Sequence, residues 1–201
     1  TNQTMKNRWI IRSLAAALLA SPFACFSDNV TDPGGTNPEP GIATLTGTIT
    51  ASRSLSADTV YTLSGYVKVQ SGATLTIQPG TRIIGDTTVA GSSLWILRGA
   101  KINAQGTVDK PIVFTSARSP GNRRPGDWGG IIIIGNAHIN RSANPVFTEG
   151  PSSVAENYAG GTDDNDNSGI MRYVRIEFAG YDVSNGQGQE LNSLSLYAVG
   201  R

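Results

Sequence analysis

The chain of 201 residues is poor in several things: it has one cysteine, one histidine and two methionines, and charged residues make up only 15%. A single cysteine excludes an internal disulfide. A single histidine, His138, excludes a metal site built from several imidazoles. An internal Cys–His nucleophile pair is excluded too, because Cys25 ends an export segment and lies outside the folded part. The scarcity of methionine and charge argues against a helical bundle. Nor is there a basic excess to favour nucleic acid: the formal charge is +1, and without Lys6, Arg8 and Arg12 the balance is 13 basic against 15 acidic residues. What is plentiful is glycine, 24 residues, with many Thr and Ser. Such a composition suits short strands joined by tight turns, so the chain reads as all-β.

Lys6, Arg8 and Arg12 form a basic start, Ile10, Ile11 and residues 14–20 an apolar stretch, and Ala20, Ser21 and Ala24 a small-residue end. That order is the order of an export signal over residues 1–25, with residues 1–4 lying upstream of the true start at Met5. An amphipathic first helix of a cytosolic domain is the competing reading. The apolar stretch is too short for a permanent anchor. Cys25 directly after Ala24 resembles the lipobox of bacterial lipoproteins, which implies acylation and a membrane link through the lipid, although Pro22 and Phe23 depart from its usual residues. Ordinary cleavage near Ser27, or loss of Cys25 with the signal, are the alternatives. Phe26 after the cysteine, by the sorting rule of enteric bacteria, favours the outer membrane. The expected location is an exported one, as an outer-membrane or cell-surface lipoprotein or a secreted protein. Residues 26–43 are polar and broken by Pro33, Pro38 and Pro40, and read as a flexible tether.

Over residues 44–201, paired apolar residues Leu75/Ile77, Leu94/Ile96, Ile112/Phe114 and Ile131/Ile133 recur at intervals of 19, 18 and 19. Another apolar residue follows by eight at Ile83, Ile102 and Ile139. A unit of about twenty residues with three bends matches one coil of a right-handed parallel β-helix, its inward residues stacked in files. Outward residues such as Thr76 and Thr115 would face water. A β-sandwich also uses short strands but has no reason to keep such a period. Inserted loops are expected at residues 116–129 and 141–169, with coils resuming at Ile176/Phe178 and Leu194/Leu196, again 18 apart. An apolar stack end after the last strand leads to the expectation of further coils beyond Arg201.

Within residues 160–169, Asp164, Asp166 and Ser168 have the oxygen spacing of the first half of a calcium loop, with Asp163 or Glu177 as further ligands of a bound Ca2+. The twelfth position is Arg175, so the loop is not an EF-hand. An Asx-rich solvated loop is the plainer reading. On a strand from Ile170 to Gly180, alternation would put Tyr173, Arg175 and Glu177 outward and Val174, Ile176 and Phe178 inward. Such an outward row suits polysaccharide, tyrosine stacking on sugar rings and charged groups bonding hydroxyls, while an ion pair between coils is the competing reading. Trp128, in a loop with Arg123, Arg124 and Asp127, is a further ligand-binding candidate, against simple packing of that loop onto the coils.

The phrases GATLTIQPGT, GTVDKPIVFTSA, GDWGGIIIIGNA, GGTDDNDNSGIMRYVRIEFAGY and QELNSLSLYAVGR together resemble a family of secreted β-helix lipoproteins of Bacteroidetes, Gemmatimonadetes and related bacteria. The resemblance implies a longer, surface-displayed protein and no assigned activity. The expected function is a non-catalytic binding or adhesion module for a polysaccharide or another cell-surface component. The alternative is a calcium-assisted polysaccharide lyase or hydrolase, and no residue is assigned a catalytic role.

Overall fold

Alternations as short as TLTI and RIIG, each ended by a bend, cannot make long strands, and no strand among the described residues exceeds five residues. The structure is a computed structural model that describes residues 39–201. The export segment, Cys25 and the tether up to residue 38 therefore lie outside the described residues.

Fourteen strands and no helix make up the described residues. The first sheet holds β1 (Gly41–Leu45), β4 (Thr59–Leu63), β7 (Arg82–Gly85), β10 (Ile112–Ser116) and β13 (Val174–Ile176). The second holds β2 (Thr48–Ile49), β5 (Tyr66–Val69), β8 (Ser93–Ile96), β11 (Gly130–Ile134) and β14 (Leu194–Tyr197). The third holds β3 (Arg53–Leu55), β6 (Thr74–Ile77), β9 (Lys101–Gln105) and β12 (Gly169–Arg172). The chain visits the sheets in that order and then returns one rung further on, always pairing parallel. The fold is a right-handed parallel β-helix. Its first strand starts at Gly41, so the helix takes in three residues that the sequence reading gave to the tether.

Corners are made by local turn chemistry. At Gln78-Pro79-Gly80-Thr81, the Thr81 N–H donates to the Gln78 carbonyl (3.2 Å) and Gly80 sits at φ 86°. Proline second and a left-handed glycine third are what a type II turn demands.

Inward residues pile in files. In the second sheet Val67, Leu94, Ile131 and Leu194 are successive ladder partners. In the first sheet Tyr61, Ile83, Phe114 and Ile176 follow one another in the same way. Leu55, Ile77, Ala104 and Met171 do so in the third. Full burial of each large aliphatic is worth about 1.5–3 kcal/mol, so these files carry the fold.

The period of 18 to 19 is not the length of a coil. Gly41 pairs with Thr59, Val60 with Arg82, Arg82 with Val113 and Ile112 with Val174, steps of 18, 22, 31 and 62 residues. The recurrent pairs fall on different sheets: Leu75/Ile77 on the third, Leu94/Ile96 and Ile131/Ile133 on the second, Ile112/Phe114 on the first. From Leu75 to Leu94 and from Leu94 to Ile112 the interval spans two strand steps, whereas a coil contains three. Ladder hydrogen bonds constrain only the strands, so corners absorb residues freely and the sequence distance between rungs drifts. The three longest connections are 117–129, between β10 and β11, 135–168, between β11 and β12, and 177–193, between β13 and β14.

A second apolar cluster lies outside the coil, on the outer face of the second sheet. Trp95, Ile132, Ile134 and Leu191 are buried there, with Tyr158 and Tyr197 packed against them. The 135–168 connection crosses this face and is pinned by two cations. Arg98 donates through Nη2 to the carbonyls of Tyr158 (3.0 Å) and Ala159 (2.8 Å) and through Nε to that of Gly135 (3.2 Å). Lys68 Nζ, 5.5 Å above the Trp95 ring, donates to Glu156 (2.6 Å) and to the Val154 carbonyl (3.0 Å).

Candidate functional site

The expected single strand over 170–180 is two strands with a corner between them. Tyr173 stands at φ 48° where β12 leaves the third sheet and β13 enters the first, and Phe178 makes the next corner at φ 59°. The Tyr173 carbonyl, turned by that corner, accepts the Ile112 N–H (3.0 Å). Alternation therefore does not run through Tyr173, and its side chain, more than half exposed, sits at an edge rather than beside Arg175. Arg175 and Glu177 do stand together, joined as a close ion pair within one strand end.

Arg175 shares its outward file with a residue far away in sequence. Val113 is the ladder partner of both Arg175 and Arg82, so the two arginines are two rungs apart on the first sheet, roughly 9–10 Å along the stack. Arg123, from the 117–129 connection, acts on the same spot. Burial, then the like charges of Arg123 and Arg175, press the Arg82 guanidinium below its ordinary value, with Glu177 pulling the other way. Arg82 and Arg175 thus share one outer file, Glu177 is paired with Arg175, and the charge of Arg123, whose Nε donates to the Arg118 carbonyl (3.0 Å), bears on Arg82 from the connection. Such an excess on an outer ladder attracts anions with several charges along their length.

Asp127 holds the connection that brings Arg123. Its carboxylate accepts from Ser116 Oγ (2.6 Å), Arg118 Nε (2.9 Å) and the Arg124 N–H (3.0 Å). Burial works to raise this carboxyl, but those three donors outweigh it and hold it below its ordinary value. Thr115, expected to face water, is fully buried on this sheet, and its hydroxyl has no hydrogen-bond partner.

Trp128 is not a surface residue. It is 1% exposed, part of the main core, with Nε1 donating to the Glu177 carbonyl (2.8 Å). The indole enters where Gly85 leaves room, since a Cβ at Gly85 would overlap the Trp128 Cβ and Cγ. It is withdrawn as a ligand-binding residue, because its apolar surface gains more inside the coil than in water.

The acidic turn brings Asp163, Asp164, Asp166 and Ser168 together, with their oxygens taken up locally. Asp163 Oδ1 accepts the Asn165 N–H (3.0 Å), and Asp166 Oδ2 accepts the Asn136 N–H and the Ser168 hydroxyl (3.1 Å each). Asp164 Oδ1 accepts the His138 N–H (3.0 Å) and meets His138 Nδ1 (3.1 Å). Glu177 stands elsewhere, on the first sheet with Arg175. Among the described residues no group of three or more His, Cys, Asp or Glu side chains is gathered so as to hold a metal ion.

A family model for the pectate-lyase like beta helix domain matches residues 47–201. The chain belongs to that family. Searches of curated proteins and of solved structures each return no match. Sequence reading placed Arg175 and Glu177 on an outer face and named Arg123 only with Trp128 in its loop, and it missed Arg82 and the link between Arg82 and Arg123. No local pattern links them, because only ladder register and a loop held by Asp127 bring them together.

Proposed function

We propose that this pectate-lyase-like β-helix is exported, held at the cell surface through an acylated Cys25, and binds an acidic polysaccharide on the outer face of its first sheet. Binding rather than cleavage is the reading we favour. The observation that carries it is the file of Arg82 and Arg175, with the charge of Arg123 bearing on Arg82 and Glu177 paired with Arg175. A polyanion lying along the stack would meet these groups in succession. Tyr173, exposed at the adjoining corner, offers a ring face to a sugar at the edge of that path.

The second reading, calcium-assisted cleavage, is favoured by the family. It would recruit Asp163, Asp164, Asp166 and Ser168, the residues that share the acidic turn.

Affinity electrophoresis of the purified protein through gels containing polygalacturonate or neutral dextran tests the proposal. Retardation by polygalacturonate alone is expected, weakening with salt and abolished in the double variant Arg82→Ala, Arg175→Ala. Equal retardation in both gels, or an unaffected double variant, would remove the anionic-ligand reading. Ultraviolet absorbance from an unsaturated sugar product, lost on Asp164→Ala, would replace binding by cleavage.

A further inference from the structure

Asn185 and Gly186 make the only Asn-Gly step in the chain. They stand at the tip of an excursion over residues 181–191, where Asp182 pairs antiparallel with Glu190 and the Val183 N–H donates to the Gln189 carbonyl (3.1 Å). Both tip residues are exposed and left-handed, Asn185 at φ 53° and Gly186 at φ 85°. Glycine adopts that conformation without strain, and having no side chain it leaves its own amide nitrogen open to the neighbouring asparagine. The pair is chemically reactive. When the Gly186 nitrogen attacks the side-chain carbonyl carbon of Asn185, a new C–N bond closes a five-membered imide, the bond to the side-chain nitrogen breaks, and ammonia leaves with the proton given up by Gly186. Water then opens the imide at one carbonyl or the other, giving aspartate or isoaspartate.

Attack requires the Gly186 nitrogen to shed its proton, and Asp182 opposes that. Its Oδ2 accepts the Gly186 N–H (2.5 Å), while Oδ1 accepts the N–H (2.8 Å) and the hydroxyl (2.9 Å) of Ser184. Ser184 Oγ in turn accepts the N–H groups of Gln187 (2.9 Å) and Gln189 (3.0 Å), so side chains within the excursion close its tip. The Ser184 N–H, then its hydroxyl, hold the Asp182 carboxyl below its ordinary value, with the Gly186 N–H adding to them. Asp182 is therefore charged at neutral pH. A carboxylate at this distance favours the protonated nitrogen and disfavours the amide anion, as a like charge does for any ionising group.

From this arrangement we infer that Asn185 is a site of spontaneous deamidation which Asp182 keeps slow in the folded chain. The reaction is intramolecular and consumes only water. Its product matters to the fold, because it sets a new negative charge beside Asp182 and, as isoaspartate, lengthens the backbone of the tip. The base of the excursion carries Leu191, whose N–H donates to the Tyr181 carbonyl (2.8 Å) and whose side chain is buried with Trp95. Conversion at the tip thus loosens the cover over Trp95.

Peptide mapping by mass spectrometry, after incubation of the purified protein at mildly alkaline pH, reads the amide-to-acid conversion at Asn185, with the chain unfolded in guanidinium chloride as reference. The folded protein is expected to convert at least about ten-fold more slowly than the unfolded chain, and Asp182→Ala to bring the folded rate within a few-fold of the unfolded one. Asp182→Asn keeps an oxygen acceptor for Ser184 and Gly186 but removes the charge, and is expected to fall between the two. A faster rate in Asp182→Asn with unchanged tryptophan emission separates the effect of charge from a loosened turn. Equal rates in the folded and unfolded chain, or an Asp182→Ala rate no higher than that of the parent, would overturn the inference.

Discussion

Trp128 stacks on Phe114, centroids 6.3 Å apart and planes 14° from parallel, although Phe114 belongs to a coil strand and Trp128 to the connection that leaves it. The excursion at 117–129 therefore returns its largest side chain to the interior, and the loop and the stack are one packing unit. Trp128→Ala is expected to lower stability by about 3–5 kcal/mol, the usual cost of emptying a large buried aromatic site. Gly85→Ala is expected to be destabilising for the complementary reason, since the added methyl competes with the indole. Urea unfolding checks both, and a loss below about 1 kcal/mol for Trp128→Ala would contradict the packing described.

Asp127 makes the same loop sensitive to acid. Its folded-state carboxyl lies below its ordinary value, so its contribution is full above the unfolded value of about pH 4 and drains away as pH falls through the depressed one. Asp127→Asn should remove that part of the acid dependence and cost about 1–3 kcal/mol at neutral pH, because Ser116, Arg118 and the Arg124 N–H lose a charged acceptor. Thermal melts from pH 7 to pH 2 distinguish the variant from the parent. Parallel curves would show that Asp127 plays no such part.

Arg98 holds the 135–168 connection by three carbonyls, a task that needs a planar fork of donors. Arg98→Lys is expected to retain at most part of that grip, and Arg98→Ala to lose it. Limited proteolysis should then cut within 135–168 several-fold faster, and tryptophan emission should shift to the red as Trp95 meets water. Unchanged cleavage rates in Arg98→Ala would mean that apolar packing alone seats the connection.

Lys68 tests the same covering at a different point. Its ammonium lies over Trp95 and pairs with Glu156, whose side chain is about one-third exposed. A partly exposed pair of this kind contributes little by itself, so Glu156→Gln is expected to change stability by under about 1 kcal/mol. Lys68→Ala is expected to cost more than Glu156→Gln, since it also removes the contact with the indole face. Equal costs in a double-mutant cycle would assign all of the effect to the ion pair.

Much of the fold is legible in the chain. Leu75/Ile77, Leu94/Ile96 and Ile131/Ile133 announce short strands with one apolar face, and Pro79-Gly80 announces a corner. What misled was counting. The spacing of the apolar pairs looked like a coil because two strand steps from Leu75 to Leu94, two more from Leu94 to Ile112 and a single step with a long connection from Ile112 to Ile131 happen to span 19, 18 and 19 residues. Tyr173 misled for a related reason: alternation through YVRIE cannot reveal that the backbone turns into a left-handed conformation at its first residue. Trp128 was read as a surface candidate because its neighbours are charged, while the room that admits it is created by Gly85, 43 positions earlier.

Side-chain alternation and turn residues depend on neighbours along the chain, so the sequence alone determined the all-β class, most of the short strands with their inward apolar residues, and the corners that a Pro-Gly step marks, but not the corners at Tyr173 and Phe178. Which strand lies on which, and hence the meeting of Arg82 with Arg175, of His138 with Asp164 and of Trp128 with Phe114, was decided only in three dimensions. Parallel ladders pair residues across connections of any length, and no local pattern records how long a corner is.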